Sequence, residues 1–371
     1  MGVWSGSLEE LVGMFNNVYR NRKVLVTGHT GFKGSWLCLW LRMLGAEPVG
    51  LALPPETQPS HWDLLGLDMR SEYVDIRDRV KVREIVEDSQ AEIVFHLAAQ
   101  PLVRRSYREP IETWDVNVTG TVNVLDACRN SSAVKAIVSV TTDKCYENNE
   151  WVWGYRETDR LGGHDPYSAS KAAAEIAAAS YRRSFLDKGN QLLATARAGN
   201  VIGGGDWSED RLIPDLVRAV KSGQTLEIRS PAATRPWQHV LECLSGYLML
   251  GEALLSGERK AAEAWNFGPE KEGNRPVEQV LQAVKAQWAA VEWHHSASPQ
   301  PHEANLLYLD SSKARELLRW RPVLSFEETV EMTASWYQEF IENEAVSSIR
   351  QLEQYCALAS QRGVAWSEAV A

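Results

Sequence analysis

Two polar side chains, Tyr167 and Lys171, stand four residues apart in the run Pro-Tyr-Ser-Ala-Ser-Lys. On a helix this spacing places both side chains on one face, one turn apart. An ammonium group near a phenol favours the phenolate, so the pair is a candidate base for taking a proton from an alcohol. Most such pairs are accidents of a helix surface, and the other motifs of the sequence decide between the two interpretations.

A hydroxyl, a carboxylate and an amine follow one another at Thr142, Asp143 and Lys144, directly after the apolar run 136–140. That run predicts a buried strand, and parallel sheets hold their ligands beyond the carboxyl ends of the strands. The three side chains can divide hydrogen bonding, acid catalysis and base catalysis among them. The alternative is that Asp143 and Lys144 form a plain exposed turn.

A glycine-rich loop follows the first predicted strand and opens a helix. Glycines permit a tight turn and let backbone N–H groups approach a pyrophosphate, and the helix N-terminus adds partial positive charge. The alternative is a simple strand-to-helix turn. The loop residues that we expect at a dinucleotide are Gly28, Thr30, Gly31, Phe32, Lys33 and Gly34.

The rest of the predicted dinucleotide site lies at three further strand ends. The second strand ends in 50–54, Gly-Leu-Ala-Leu-Pro, with neither a carboxylate for a ribose nor an arginine for a 2′-phosphate, so this loop leaves NAD and NADP open. Asp75 and Ile76 end the third predicted strand, where they would meet the adenine edge. Small residues end the fourth strand and let a cofactor pass close to the backbone; the expected contacts there are Leu97, Ala98 and Ala99.

Short apolar strands alternate with helical patterns, which predicts an α/β fold with a doubly wound parallel sheet. The predicted strands cover 23–27, 48–53, 72–76, 92–97, 136–140, 192–197, 226–229 and 264–267. The predicted helices cover 35–44, 79–88, 111–129, 167–187, 213–221, 241–255, 277–289 and 325–342. We expect an N-terminal extension (1–20), a dinucleotide-binding domain (21–200, with 238–260 returning to it), and a smaller α/β substrate lobe with a tail (201–371).

The composition excludes several classes of function. The formal net charge of −10 argues against a surface for nucleic acid or for an anionic membrane. The sequence contains neither a signal peptide pattern nor a segment long enough to span a membrane. Five cysteines without a Cys-x-x-Cys spacing suit a reducing cytoplasm, with Cys38 and Cys128 as buried free thiols. His294 and His295 lack a third ligand, so we predict a surface strand and no metal there.

Together, the glycine loop, the Leu-Ala-Ala strand end and Tyr-x-x-x-Lys resemble the extended short-chain dehydrogenase/reductase family over residues 21–342. Residues 28–36, 142–144 and 197–207 are similar to the members of that family that dehydrate CDP-glucose. The resemblance implies a Rossmann-type fold, NAD as the cofactor and CDP-glucose as the small-molecule substrate. It also implies a homodimer or homotetramer, because helices 111–129 and 167–187 resemble those that form an intersubunit bundle in the family.

The resemblance further implies a reaction in three stages on one sugar. Tyr167 takes the C4 hydroxyl proton while hydride passes to NAD, and Lys171 lowers the tyrosine pKa and holds the nicotinamide ribose. Thr142 hydrogen-bonds the C4 oxygen, and Asp143 gives its proton to the departing C6 hydroxyl. Related dTDP-glucose dehydratases carry Glu in place of Lys144, which must be neutral to act as the C5 base. The alternative is that Lys144 only orders its loop.

By the same resemblance, five side chains face the nucleotide sugar: Gln100, Asn200, Arg211, Arg235 and Asn266. Arg235 and Asn266 match positions that hold the diphosphate in related enzymes, and an arginine fork suits phosphate oxygens. Three alternatives stay open at this point. They are a dehydratase of dTDP-glucose or GDP-mannose, a nucleotide-sugar 4-epimerase or reductase, and a non-enzymatic dinucleotide-binding scaffold. An epimerase needs no acid and base beside Thr142, so Asp143 and Lys144 favour dehydration.

Overall fold

The computed structural model describes residues 11, 13–186, 189–228, 230–296 and 306–367. Within them the strands are β1 (Lys23–Thr27), β2 (Glu47–Ala52), β3 (Ser71–Tyr73), β4 (Ile93–His96), β5 (Ala136–Val140), β6 (Leu192–Ala198), β7 (Val201–Ile202), β8 (Leu226–Ile228), β9 (Thr234–Pro236), β10 (Gln238–His239), β11 (Ala264–Phe267), β12 (Asn274–Pro276) and β13 (Trp293–His295). The α-helices are α1 (Phe32–Met43), α2 (His61–Leu65), α3 (Arg79–Ser89), α4 (Val103–Arg108), α5 (Pro110–Trp114), α6 (Thr121–Asn130), α7 (Pro166–Tyr181), α8 (Leu212–Lys221), α9 (Val240–Leu255), α10 (Val277–Gln287), α11 (Ser312–Leu317), α12 (Phe326–Asn343) and α13 (Ser348–Gln361).

A seven-stranded parallel sheet in the order β11-β6-β5-β4-β1-β2-β3 forms the centre of the molecule. Helices α3, α6 and α7 cover one face, and α1 and α9 cover the other. A strand covered on both faces has to be apolar along its length, as in β5 (Ala-Ile-Val-Ser-Val), where every residue is buried. The strand order reverses between β1 and β4, which opens a crevice there. This arrangement confirms the predicted doubly wound α/β sheet.

Most of the predicted elements lie where the hydrophobic pattern indicated, and β1, β5 and β11 occupy the predicted residues. Strand β3 is shorter than predicted and ends at Tyr73, so the prediction that Asp75 and Ile76 end it was wrong. The reason is a turn in which the Asp75 carboxylate accepts hydrogen bonds from the backbone and side chain of Arg77, at 2.8 and 2.6 Å. Residues 187 and 229, the last of a predicted helix and strand, lie outside the described residues.

The predicted helix 111–129 is one continuous helical stretch with a wider turn in its middle. It consists of α5, a π-helical segment over Asp115–Gly120, and α6. Pro110 occupies the first helical position, where its missing N–H costs nothing.

Segments beyond residue 200 return to the central sheet, although the exact division into lobes stays a prediction. Helix α9 packs against α1, β5 and β6, and β11 pairs with β6 at the sheet edge. The two ends of the described chain also meet, because the ring of Phe15 stacks on that of Trp366 with centroids 5.0 Å apart. The remaining strands pair in twos, β7 with β10, β8 with β13 and β9 with β12.

The five cysteines are free and buried, which confirms the prediction for Cys38 and Cys128. His294 and His295 lie exposed in β13, as predicted, and His295 lies 3.4 Å from the carboxylate of Glu278. In the described part of the chain, no helix is long and apolar enough to cross a membrane. The same residues contain no group of three His, Cys, Asp or Glu side chains that could hold a metal ion.

Candidate active site

A cleft of about 1440 Å³ opens at the carboxyl edge of the central sheet, where the strand order reverses. The glycine loop, the ends of β4 and β5, the start of α7 and the loop after β6 line it. Every predicted site residue except Asn266 lies in its wall. The topology therefore brings together residues that are up to about 200 positions apart in the sequence.

The glycine loop has the close backbone approach that a pyrophosphate requires. Gly28 has a φ of 75°, and a Cβ there would lie 2.7 Å from the backbone nitrogen of Ala98. A Cβ at Gly34 would lie 2.0 Å from the carbonyl oxygen of Gly28, so neither position accepts a side chain. The hydroxyl of Thr30 donates to the carbonyl of Leu53 at 2.8 Å, which ties the loop to the end of β2. The loop and the first residues of α1 line the cleft, so the N–H groups that have no partner within the first turn of a helix lie at its wall, and the loop fits a dinucleotide.

Helix α7 presents Tyr167 and Lys171 to the cleft, and both side chains are buried. The helix begins at this point because Asp165 caps it, accepting from the backbone N–H of Ser168 at 2.9 Å. The Lys171 ammonium lies 3.5 Å from the carbonyl of Val140, the last residue of β5. The predicted pair therefore faces the end of the strand that carries the acid and base candidates.

Burial acts on both members of the pair and moves their pKa values in opposite directions. It raises the pKa of Tyr167 to about 12, and a hydrogen bond with Thr142 and the charge of Arg211 oppose that shift. Burial and the positive charge of Lys33 together lower the pKa of Lys171 to about 8. The groups that lower the tyrosine pKa most are thus Thr142 and Arg211, and the predicted effect of Lys171 on the phenol stays a prediction.

The segment after β5 is buried at the cleft, so the alternative of a plain exposed turn was wrong. The hydroxyl of Thr142 donates to Asp143 Oδ1 at 2.9 Å and accepts from the backbone N–H of Lys144 at 3.3 Å. Asp143 is 1% exposed, and its Oδ2 has no hydrogen-bond partner among the described residues. Lys144 is half-buried in the cleft wall. Each of the three side chains is therefore within the site, and one buried carboxylate oxygen of Asp143 is left without a protein partner among the described residues.

Four of the five predicted substrate residues lie in the cleft wall, and Asn200, Arg211 and Arg235 are three of them. Asn200 follows β6 and Arg235 lies in β9. The guanidinium of Arg211 is held by the carboxylate of Asp206 at 2.8 Å, and Asp206 is 3% exposed. This ion pair holds the arginine in the wall of the cleft, and the charge of Arg211 lowers the pKa of Tyr167.

The other two predicted substrate residues are engaged by the protein itself. Asn266 is fully buried outside the cleft: its amide donates to the carbonyl of Tyr155 at 2.8 Å, and its carbonyl accepts from the hydroxyl of Tyr146 at 2.7 Å. The prediction that it holds the diphosphate was therefore wrong. Gln100 lies in the cleft wall, but its amide bonds both the N–H and the carbonyl of Leu102, at 2.6 and 3.1 Å. Its amide shapes that loop.

Sequence reasoning missed a buried ion pair next to the site. Glu175 and Arg197 lie 2.8 Å apart, and each side chain is 3% exposed. Glu175 follows Lys171 by four residues, which repeats the spacing from Tyr167 to Lys171 and was the available signal. Its partner is 22 residues away on β6, and the sequence alone does not indicate that the two meet.

Comparisons with known proteins support the arrangement. The model of the GDP-mannose 4,6 dehydratase family matches residues 25–333. The chain is 46% identical over 349 residues to a CDP-glucose 4,6-dehydratase of Salmonella typhimurium, which covers 91% of this chain and 97% of the relative. The structure of a dTDP-glucose 4,6-dehydratase from Streptomyces venezuelae with NAD bound is similar, with a TM-score of 0.71, 25% identity, and coverage of 85% of this chain and 97% of that one. A UDP-glucose 4-epimerase of Thermus thermophilus in complex with NAD has a TM-score of 0.72 and 25% identity, covering 85% of this chain and 98% of the other.

Proposed function

The chain belongs to the GDP-mannose 4,6-dehydratase family of nucleotide-sugar enzymes, and we propose that it converts CDP-D-glucose to CDP-4-dehydro-6-deoxy-D-glucose. The reaction is a transient oxidation at C4, elimination of water across C5 and C6, and return of the hydride to C6, in deoxysugar biosynthesis. The observation that carries the proposal is the meeting of Asp143, Lys144 and Tyr167 in the same cleft as the glycine loop. An acid and a base beside the alcohol site serve an elimination and have no use in an epimerisation.

The cofactor of the proposed reaction is NAD, which when bound would accept the hydride from C4 and supply it to C6. The glycine loop with Gly28, Gly31 and Gly34 would hold its pyrophosphate at the start of α1. Lys171 would bond the nicotinamide ribose, and the turn at Asp75 would border the adenine. The small residues at the end of β4 let the backbone approach the cofactor.

Tyr167 carries out the first proton transfer, in which it takes the proton of the C4 hydroxyl. Because burial raises the pKa of this phenol to about 12, its phenolate needs positive charge nearby. Arg211 supplies part of that charge and the ammonium of Lys171 the rest. Thr142, whose hydroxyl hydrogen goes to Asp143 Oδ1 in the free protein, would turn that hydrogen to the C4 oxygen when the sugar binds and so hold it beside Tyr167.

The elimination belongs to Asp143 and Lys144. The new 4-keto group acidifies the C5–H bond, and Lys144, as the proposed base, takes that proton while the C6–O bond breaks. Asp143 gives a proton from Oδ2 to the departing oxygen, so water leaves and a C5–C6 double bond forms. After C6 is reduced, Lys144 returns its proton to C5. The proton on Tyr167 restores Asp143 through solvent, and the net change is the loss of one water.

The nucleotide end of the substrate would lie beyond the sugar, with the guanidinium of Arg235 on the diphosphate and Asn200 on the sugar or its phosphate. A homodimer or homotetramer is part of the proposal, because α5, α7 and the helical turn after α7 carry large apolar side chains that are exposed: Ile111, Trp114, Ile176 and Phe185. A cytoplasmic location is also proposed, and the free, buried cysteines fit a reducing compartment.

The test is incubation of the protein with NAD and CDP-, dTDP- and GDP-hexoses in parallel, followed by mass analysis of the products. The proposal expects loss of one water from CDP-glucose. An isomer of unchanged mass would indicate an epimerase. Loss of water from another nucleotide sugar would show that the substrate carries a different nucleobase. Bound NAD with no product from any sugar would support the alternative of a non-enzymatic dinucleotide-binding scaffold.

A further inference from the structure

The ion pair of Glu175 on α7 and Arg197 on β6 is fully enclosed, and burial of two charges costs several kcal/mol unless further hydrogen bonds complete it. The carboxylate of Glu175 also accepts hydrogen bonds from the hydroxyls of Thr141 and Thr195, the second at 2.7 Å. Arg197 and these donors hold the pKa of Glu175 below its usual range although burial alone would raise it. Glu175 is therefore an ionised carboxylate with its oxygens satisfied.

The arginine of the pair makes a second set of contacts on its other side. Its Nη1 donates to the hydroxyl of Tyr146 at 2.7 Å, and its guanidinium lies 4.9 Å from the centre of the Tyr146 ring. The Tyr146 hydroxyl in turn donates to Asn266 at 2.7 Å. Thr141 is thus hydrogen-bonded to Glu175, and Tyr146 is hydrogen-bonded to Arg197. The ion pair therefore holds both ends of segment 141–146, which carries the acid and base candidates.

The same carboxylate also acts on Lys171, the proposed partner of Tyr167. Tyr167, Lys171 and Glu175 follow one another at intervals of four residues on α7, so they share one face of the helix. Burial lowers the pKa of Lys171 to about 8, and the negative charge of Glu175 opposes that shift. An anion at this position favours the ammonium form of Lys171.

We propose that Glu175 and Arg197 are positioning residues, which hold segment 141–146 against α7 so that Thr142, Asp143 and Lys144 meet the sugar that Tyr167 binds. The effect of these two residues on catalysis depends on the proposed dehydratase function. It predicts a fall in kcat with little change in KM, because the nucleotide end at Arg235 does not depend on the ion pair. Displacement of reacting groups by about 1 Å costs on the order of 100-fold in rate.

The first experiment compares the parent with Glu175→Gln, which keeps the shape and removes the charge, and with Thr141→Val, which removes only one tie. Glu242→Gln, a buried carboxylate on α9 outside the cleft, is the matched control. With CDP-glucose as substrate, we expect kcat to fall about 100-fold in Glu175→Gln and about 10-fold in Thr141→Val, and to stay within about twofold in the control. The alkaline limb of the kcat profile should move to lower pH in Glu175→Gln alone, because Lys171 loses its anion.

The second readout needs no substrate. Amide hydrogen exchange over residues 141–146 of the free protein should become faster in Glu175→Gln and Thr141→Val and remain unchanged in Glu242→Gln. A parent that dehydrates no nucleotide sugar would overturn the proposed function, and hydrogen exchange alone would then decide whether the ion pair positions the segment. Parental exchange over 141–146 and parental kcat in both variants would overturn the positioning role, as would an equal loss of kcat in the control.

Discussion

The carboxylate of Asp143 and the backbone of Gly199 lie so close that residue 199 has no room for a side chain. A Cβ on Gly199 would lie 3.0 Å from Asp143 Oδ2 and 2.5 Å from Cγ of Pro236. The oxygen concerned is the one without a hydrogen-bond partner among the described residues. The absence of a side chain at residue 199, at the end of β6, therefore keeps the proposed acid in its position at the end of β5.

The first prediction concerns this contact. Gly199→Ala should lower kcat about 10- to 100-fold, because the new methyl has to displace either Asp143 or the stiff ring of Pro236. Steady-state kinetics with CDP-glucose and thermal unfolding measure the two effects separately. Gly189→Ala is the control, because Gly189 does not line the cleft. A Cβ there would lie 3.5 Å from its nearest neighbour, the carbonyl oxygen of Leu186, which is an ordinary van der Waals contact. Parental kcat in Gly199→Ala would show that Asp143 tolerates displacement.

The second prediction concerns the base of the elimination. Lys144→Ala should abolish the exchange of the C5 hydrogen with solvent deuterium and slow product formation by about 10²- to 10⁴-fold, the usual range for general base help. The exchange is followed by mass spectrometry of the product and of recovered substrate in deuterated water. Lys135→Ala, at the opposite end of β5 and paired with Glu92, should behave as the parent. Exchange at the parental rate in Lys144→Ala would reduce Lys144 to a residue that orders its loop.

The third prediction concerns the diphosphate. Arg235→Gln should raise KM for CDP-glucose about 10- to 100-fold, the cost of one charge-assisted hydrogen bond, with a smaller effect on kcat. Arg70→Gln removes a surface arginine that pairs with Glu72 and Asp88 and should change neither constant. An unchanged KM in Arg235→Gln would place the diphosphate elsewhere in the cleft.

The fourth prediction concerns stability and pH. Burial raises the pKa of Glu242 from its usual 4.5 to about 7, although the N–H groups of Val323 and Leu324 bond the carboxylate. The folded protein therefore holds this proton more tightly than the unfolded chain. Its contribution to stability is full below about pH 4.5 and is lost as the pH rises to about 7. The melting temperature of Glu242→Gln minus that of the parent should increase between about pH 5 and 8, whereas a constant difference would show that the carboxyl titrates at its ordinary pKa.

The hydrophobic pattern was sufficient to predict the sheet because β1, β5 and β11 are apolar runs between polar neighbours. It did not predict the turn at Asp75, which depends on a hydrogen bond between two side chains that both suit a strand end or a loop. For Arg235 and Asn266, similarity to related enzymes predicted the same role for both, yet only Arg235 faces the cleft. A strand alternates its faces residue by residue, and a short run does not indicate which face is the cleft side.

In the proposed reaction, one hydrogen leaves C4 and arrives at C6 of the same sugar. The most direct test supplies CDP-glucose carrying deuterium at C4 to the protein with unlabelled NAD, and examines the product by NMR. We expect one deuterium in the new methyl group of each product molecule. Product whose methyl group contains no deuterium from C4 would contradict it.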